Sequence, residues 1–186
     1  MKKVIACFLV LLFSLLLPGC SAVYSEAPDV KEMETTFSEY KEDFQNITNY
    51  LLETPESVVT IDGGTMTVFR TRSDSTELDR TDTPITDTPI AESCQRLEQA
   101  GCQSISMDPR IDSKGQENVI YFCMWSRTVD EADGGIAYAI NSDHPPQIQF
   151  QTALEPLSED GWYFCLAAYN EWRNTKPTFI STNDEE

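Results

Sequence analysis

The sequence predicts an α+β domain in which helices cover one face of a mainly antiparallel sheet. Two stretches have the apolar spacing of amphipathic helices, and six have the alternation and bounding turn residues of strands, in the order α-ββ-α-ββββ. Each layer has one apolar surface that needs a partner, so we expect a two-layer sandwich. The 186 residues suit a single domain, which we place at residues 31–173.

The first helix is predicted from Lys31 to Leu52. Its apolar residues recur at alternating steps of four and three: Met33, Phe37, Tyr40, Phe44, Ile47 and Leu51. Acidic residues fill the opposite face, and Pro55 follows as a stop signal. Fewer than three heptads are present, which favours packing against a sheet over a coiled coil.

A β-hairpin is predicted next, with a two-residue turn at Gly63-Gly64. In that register like residues face one another: Ile61 opposes Met66, Val59 opposes Val68 and Thr60 opposes Thr67. A shift by one residue would lose this match.

Residues 70–89 are predicted to form a solvated loop, because they are rich in Thr, Asp and Ser and offer little apolar surface to bury. Four aspartates in it suggest calcium binding: Asp74, Asp79, Asp82 and Asp87. Their spacing lacks the alternating oxygen ligands, the glycine and the terminal glutamate of an EF-hand. We therefore predict no metal site.

A second helix is predicted to begin near Thr88, with Asp87 or Thr88 as its N-cap and Gly101 as its stop. Residues 103–117 hold a short apolar alternation and then turn-forming residues. Four further strands are predicted at residues 119–126, 136–140, 147–152 and 162–168. For the last strand, either Trp162, Phe164 and Leu166 or Tyr163 and Cys165 face the core. Residues 174–186 are predicted to be a loose tail.

Residues 1–20 have the parts of an export signal. Lys2 and Lys3 precede an apolar run over residues 4–17, which is shorter than the roughly 20 residues of a membrane-spanning helix. The run ends in Leu17-Pro18-Gly19-Cys20, which resembles the lipobox of bacterial lipoprotein precursors.

The resemblance implies that residues 1–19 are removed and that a diacylglyceryl group is attached to Cys20. Two acyl chains would anchor the chain stably to the extracytoplasmic face of the cell membrane, with residues 20–30 as a tether. Removal of residues 1–19, which include Lys2 and Lys3, would leave 167 residues and change the formal charge from −18 to −20. Such a charge disfavours nucleic acid and favours cations or basic partners.

Four cysteines remain after the signal: Cys94, Cys102, Cys123 and Cys165. An oxidising compartment permits disulfides. Helix geometry disfavours a bond between Cys94 and Cys102, since roughly 12 Å would separate their Cα atoms. The aromatic neighbours of Cys123 and Cys165 favour free thiols in the core. Zinc is not expected, because no Cys-x-x-Cys pair occurs and His144 is the one histidine.

No residue is predicted to be catalytic and no cofactor is implied. His144 lies in a proline-containing loop without a recognisable nucleophile setting. Five aromatic residues are candidates for a surface that binds a glycan or a peptide, namely Trp125, Trp162, Tyr163, Tyr169 and Trp172. We expect most of them in the core, and Trp172 stays open.

The leading hypothesis is a lipid-anchored domain that binds a protein, a peptide or an envelope component without catalysis. One alternative is an acidic inhibitor or immunity-type protein that masks a basic enzyme surface. The other is a small envelope hydrolase that uses His144 with a carboxylate or a thiol.

Replacing the lipidated residue tests the anchor. A Cys20→Ala variant should leave the membrane fraction, because the acyl chains have no attachment point. A Cys7→Ala variant is the matched control and should remain, since Cys7 leaves with the signal. Fractionation followed by immunoblotting measures both, and a Cys20→Ala protein that stays with the membrane would refute the lipobox interpretation.

Overall fold

The computed structural model describes residues 26–53, 58–71, 78–108, 119–128, 131–140, 145–146 and 148–170. These ranges hold three helices and eight strands. In chain order they are α1 (Val30–Glu39), α2 (Lys41–Leu52), β1 (Val58–Asp62), β2 (Thr65–Thr71), β3 (Leu78–Pro84), α3 (Thr88–Gln99), β4 (Ser104–Asp108), β5 (Val119–Arg127), β6 (Ala132–Ala139), β7 (Gln151–Pro156) and β8 (Trp162–Ala168).

The eight strands form one sheet in the order β3-β2-β1-β4-β5-β6-β8-β7. Every pair of neighbouring strands is antiparallel. The prediction of a mixed fold dominated by an antiparallel sheet is confirmed.

The main core is centred on Trp162 of β8. Its ring centroid lies 4.9 Å from that of Phe37 on α1 and 6.0 Å from that of Phe44 on α2. From the sheet, Phe122 lies at 6.0 Å and Tyr138 at 5.0 Å. These tilted and edge-on contacts add to the free energy of burying large aromatic surfaces. They tie both helices to the middle of the sheet.

The apolar stripe predicted for the first helix is buried, but the prediction of one continuous helix is wrong. Tyr40 has φ −111° and ψ 22°, which ends α1 and begins α2. Its C=O accepts the N–H groups of Asp43 and Phe44 at 2.9 and 3.1 Å, so two of the first four donors of α2 are satisfied at the break. Met33, Phe37, Phe44, Ile47 and Leu51 all remain in the core.

The hairpin has the predicted register throughout, with Ile61 opposite Met66. Gly63 and Gly64 have φ values of 52° and 72°, the left-handed region that a two-residue turn of this kind requires. The predicted loop over residues 70–89 is wrong for residues 78–84, which form edge strand β3 on β2. Backbone pairing holds this strand while many of its side chains stay exposed, so its polar composition concealed it.

The helix α3 is confirmed, with the Asp87 side chain accepting the Ile90 N–H at 3.3 Å. It is joined to α2 by an ion pair between Arg96 and Asp43. The Arg96 Nη2 lies 2.6 Å from Asp43 Oδ1, and the Asp43 side chain is only 8% exposed. Two further Nε contacts, at 2.9 and 3.1 Å, make the arrangement bidentate.

Strand β6 begins earlier than the predicted residue 136, because residues 132–135 also pair with β5. The ladder shifts between Cys123 and Trp125, which places a β-bulge at Met124. A Cβ atom on Gly135 would lie 2.0 Å from the Phe122 carbonyl oxygen, so only glycine fits there. Gly135 therefore lies inside the strand, where the close approach of β5 requires it.

The predicted strand over residues 147–152 is confirmed for residues 151–152 and wrong for residues 148–150, while residue 147 lies outside the described residues. Phe150 has a φ of 61°, and the Gln151 N–H donates to the Ile148 C=O at 3.2 Å, so these residues form a turn. Strand β7 begins only at Gln151. Glutamine alternates with apolar residues here as it does in many strands, but Ile148 and Phe150 instead line a surface cleft.

Strand β8 uses both of the faces that its sequence allowed. Trp162, Phe164 and Leu166 join the core against the helices. Cys165 is buried on the opposite face with Val119 and others in a second, smaller cluster. We call this face, away from the helices, the outer face.

Neutralising the buried carboxylate of the α2–α3 pair should destabilise the fold. We expect Asp43→Asn to lower the free energy of unfolding by about 1–3 kcal/mol, since it removes a charge-assisted bidentate contact. Glu42→Gln, at an exposed neighbouring position, is the control and should change it by less than about 0.5 kcal/mol. Equal urea midpoints for the two variants would contradict this role.

Candidate functional site

A cleft of about 470 Å³ opens on the outer face, beside the end of the β5–β6 hairpin. It is lined by strand, turn and β8-terminal residues: Tyr121, Ser126, Arg127, Thr128, Glu131, Ala132, Asp133, Ile148, Gln149, Phe150 and Tyr169. Its volume falls within the range of about 300–1,000 Å³ that is usual for small-ligand sites.

Two of the lining residues have strained backbones. Glu131 and Phe150 have φ values of 49° and 61°, and no other non-glycine residue in the described ranges has a positive φ. Their carbonyl groups are held by the end of β8, since Tyr169 donates to Glu131 at 3.2 Å and Ala168 donates to Phe150 at 3.0 Å. Such conformations cost about 1–3 kcal/mol each and cluster at functional sites.

The turn before β7 brings Phe150 against Tyr169. Their ring centroids lie 4.8 Å apart at an interplanar angle of 75°, an edge-to-face pair. Both rings line the cleft. The apolar residues of the mispredicted strand therefore form one wall of the cleft.

A hydrogen-bonded acid pair lies in the cleft. The Tyr121 hydroxyl donates to Asp133 Oδ1 at 2.7 Å, from β5 across to β6. Burial raises the pKa of Asp133 above its usual value, and the Tyr121 hydrogen bond only partly offsets this. The pKa of Tyr121 is also raised, chiefly by burial, so it stays a neutral donor. The pair holds a carboxylate at some cost in stability.

Arg127 also lines the cleft, at the end of β5. Its guanidinium carbon lies 5.7 Å from the ring centroid of Trp125, within the range of a cation–π contact. Nearby, the Ser126 hydroxyl donates to Gln103 Oε1 at 2.6 Å.

A second cavity lies beside Cys94 and Cys102, but it holds only about 10 Å³. That space suits at most one water. Cys94, Cys102, Cys123 and Cys165 are all free and buried. Burial raises the pKa of Cys94 to about 11, of Cys102 to about 12 and of Cys123 to about 11, so none is a reactive thiolate at neutral pH.

The residues proposed from the sequence are scattered or lie outside the described ranges. Cys20, His144, Trp172 and Asp74 all fall outside them. Trp162 is core, while Trp125 and Tyr163 are half-buried. Asp82 accepts hydrogen bonds from Thr67 and Arg80, and Asp87 caps a helix, so neither is arranged for calcium. Of the four aromatics of this set that the structure describes, Tyr169 lines the cleft.

Sequence reasoning missed most of the cleft, including Tyr121, Glu131, Asp133 and Phe150. One signal was present for Asp133: a carboxylate adjoins Gly134-Gly135 inside a segment that continues as an apolar strand. A charge within a strand whose neighbours are buried needs a stated partner or a function.

No helix in the described ranges is long and apolar enough to cross a membrane. No three His, Cys, Asp or Glu side chains of those residues come together as metal ligands. Comparisons with protein-family models, curated proteins and solved structures found no match to the chain.

The raised pKa of Asp133 predicts a pH-dependent cost. Between the usual aspartate pKa of 3.8 and the raised value, the folded state binds more protons than the unfolded state, so stability falls as pH rises through that window. Asp133→Asn should remove this fall and be at least as stable as the native protein at pH 7. Urea unfolding at several pH values measures it, with exposed Asp160→Asn as control. A native-like pH profile in Asp133→Asn would contradict it.

Proposed function

We propose that the chain is a lipid-anchored extracytoplasmic domain that binds a small envelope component or a peptide segment in the outer-face cleft, without catalysis. The proposal is supported by three features that lower the stability of the fold and occur together in one cleft. The two strained backbone positions, Glu131 and Phe150, and the half-buried Asp133 all belong to one cleft.

The main core of the fold does not require any of these three features. The main core lies on the other side of the sheet, around Trp162 and the helices. Residues that lower stability and gather in one cleft are typical of sites kept for binding.

The scaffold we propose is a two-layer sandwich. The helices cover one face of the sheet and bury most of the apolar side chains there. The outer face carries a smaller cluster around Cys165, which leaves room beside it for the cleft. A rigid sheet is well suited to hold the lining side chains in place.

The size of the cleft favours a compact ligand over a flat protein surface. Ligand sites of this volume combine apolar walls with a few polar groups that fix orientation. Here the walls are Phe150, Tyr169 and Ile148, and the polar groups are Tyr121 and Asp133.

The proposed tether joins the domain on the face of β6 opposite to the cleft. A Cβ atom on Gly134 would lie 2.6 Å from Leu166 Cδ2 and 3.5 Å from Pro28 Cγ, so buried Pro28 packs on the helix side of this strand. Eight residue steps separate Cys20 from Pro28, which allows a reach of at most about 28 Å. An anchor at Cys20 would therefore keep the domain near the bilayer.

In-cell photo-crosslinking tests ligand binding at the cleft. A photoreactive p-benzoylphenylalanine at Thr128, an exposed lining residue, should give a defined adduct detected by mass spectrometry. The same residue at Thr83, exposed on β3 and outside the cleft, is the control and should give none above background. No adduct at Thr128, or the same adducts at both positions, would refute the proposal.

A further inference from the structure

We propose that the group bound in the cleft is an organic cation, a primary ammonium or a guanidinium, held by the Asp133 carboxylate and the rings of Phe150 and Tyr169. This inference rests on the proposed binding function and specifies the chemistry of its ligand.

Asp133 is a carboxylate without a cation. The Tyr121 hydroxyl, a neutral donor, is bound to its Oδ1 at 2.7 Å. None of the ion pairs among the described residues includes Asp133. Asp133 is half-buried, and a carboxylate that has lost part of its hydration is stabilised by an opposite charge or by further donors, of which the fold supplies one neutral hydrogen bond.

The buried carboxylate elsewhere in the fold shows what a satisfied site looks like. Asp43 is paired with Arg96 through three contacts of 2.6 to 3.1 Å. Asp133 lies in a cleft instead, where a group from solvent can take the place that Arg96 takes beside Asp43. The contrast points to an external cation.

The aromatic wall favours the same ligand. Ring faces carry negative electrostatic potential and attract ammonium and guanidinium groups within about 6 Å. Phe150 and Tyr169 line the cleft together with Asp133, and Tyr121 adds a third ring. Carboxylate and rings together form a site with both charge and apolar surface, which suits a cation on an alkyl chain.

The lining holds one further acidic and one basic side chain. Glu131 brings a second carboxylate, which favours a cation. Arg127 is the opposing charge, and its guanidinium carbon lies 5.7 Å from the ring centroid of Trp125. The formal charge of the whole chain, −18, draws cations toward the surface and repels anions.

Titration of the full-length protein in detergent micelles with capped lysine tests the charge. The probes are Nα-acetyl-lysine amide, its Nε-acetyl derivative as the neutral control, and n-butylamine. We expect the first to bind and to shift the amide resonances of Asp133 and Phe150, and the Nε-acetyl derivative to bind about tenfold more weakly or worse. Binding of n-butylamine at equal strength would assign a free amine, and weaker binding would assign a basic side chain of a peptide.

Two variants separate the site from the general negative field. Asp133→Asn should weaken capped lysine binding by about tenfold or more. Asp160→Asn removes the same charge from an exposed turn and should leave the affinity nearly unchanged. Equal losses in both variants, or no binding of either cationic probe at millimolar concentration, would overturn the inference. If the neutral probe binds the cleft as tightly as the charged one, the binding function stands and the cation assignment fails.

Discussion

The packing of four aromatic rings on Trp162 is the contact on which the rest of the structure depends. Phe37 and Phe44 reach it from two separate helices, and Phe122 and Tyr138 reach it from the sheet. Because these rings fill the space between helices and sheet, the break at Tyr40 does not cost α1 its position. Most of the buried apolar side chains lie on this side of the sheet, so the outer face carries fewer of them.

The β5–β6 strand pair links the core to the outer face and fixes the positions of the residues there. The bulge at Met124 and the glycine at 135 let the two strands approach closely, and the strands then bring Tyr121 and Asp133 within hydrogen-bond distance. At the strand end, Glu131 is held in its strained conformation by the Tyr169 N–H. The cleft therefore takes its shape from a rigid ladder, which is the kind of support that the proposed binding site requires.

Strong periodicity and turn chemistry made part of the fold predictable. The Gly63-Gly64 hairpin, the apolar stripe of the first helices and the last strand could be predicted because each has a local pattern tied to burial. Strand β3 could not, because an edge strand is held by backbone hydrogen bonds that its Thr- and Asp-rich side chains do not report. Phe150 was wrongly predicted to lie in a strand for the opposite reason. Its apolar side chain is typical of a strand, whereas its positive φ is typical of a turn.

Taken alone, the sequence predicted a mixed fold dominated by an antiparallel sheet, the burial of four cysteines and a lipid anchor at Cys20, which stays a prediction. Those properties depend on composition and on neighbours in the chain. Only the tertiary structure decided that Tyr121, Asp133, Phe150 and Tyr169 share one cleft, because they come from separate strands and turns. Their meeting depends on the pairing of strands that are distant in the chain and on two strained backbone positions, which the local sequence pattern does not specify.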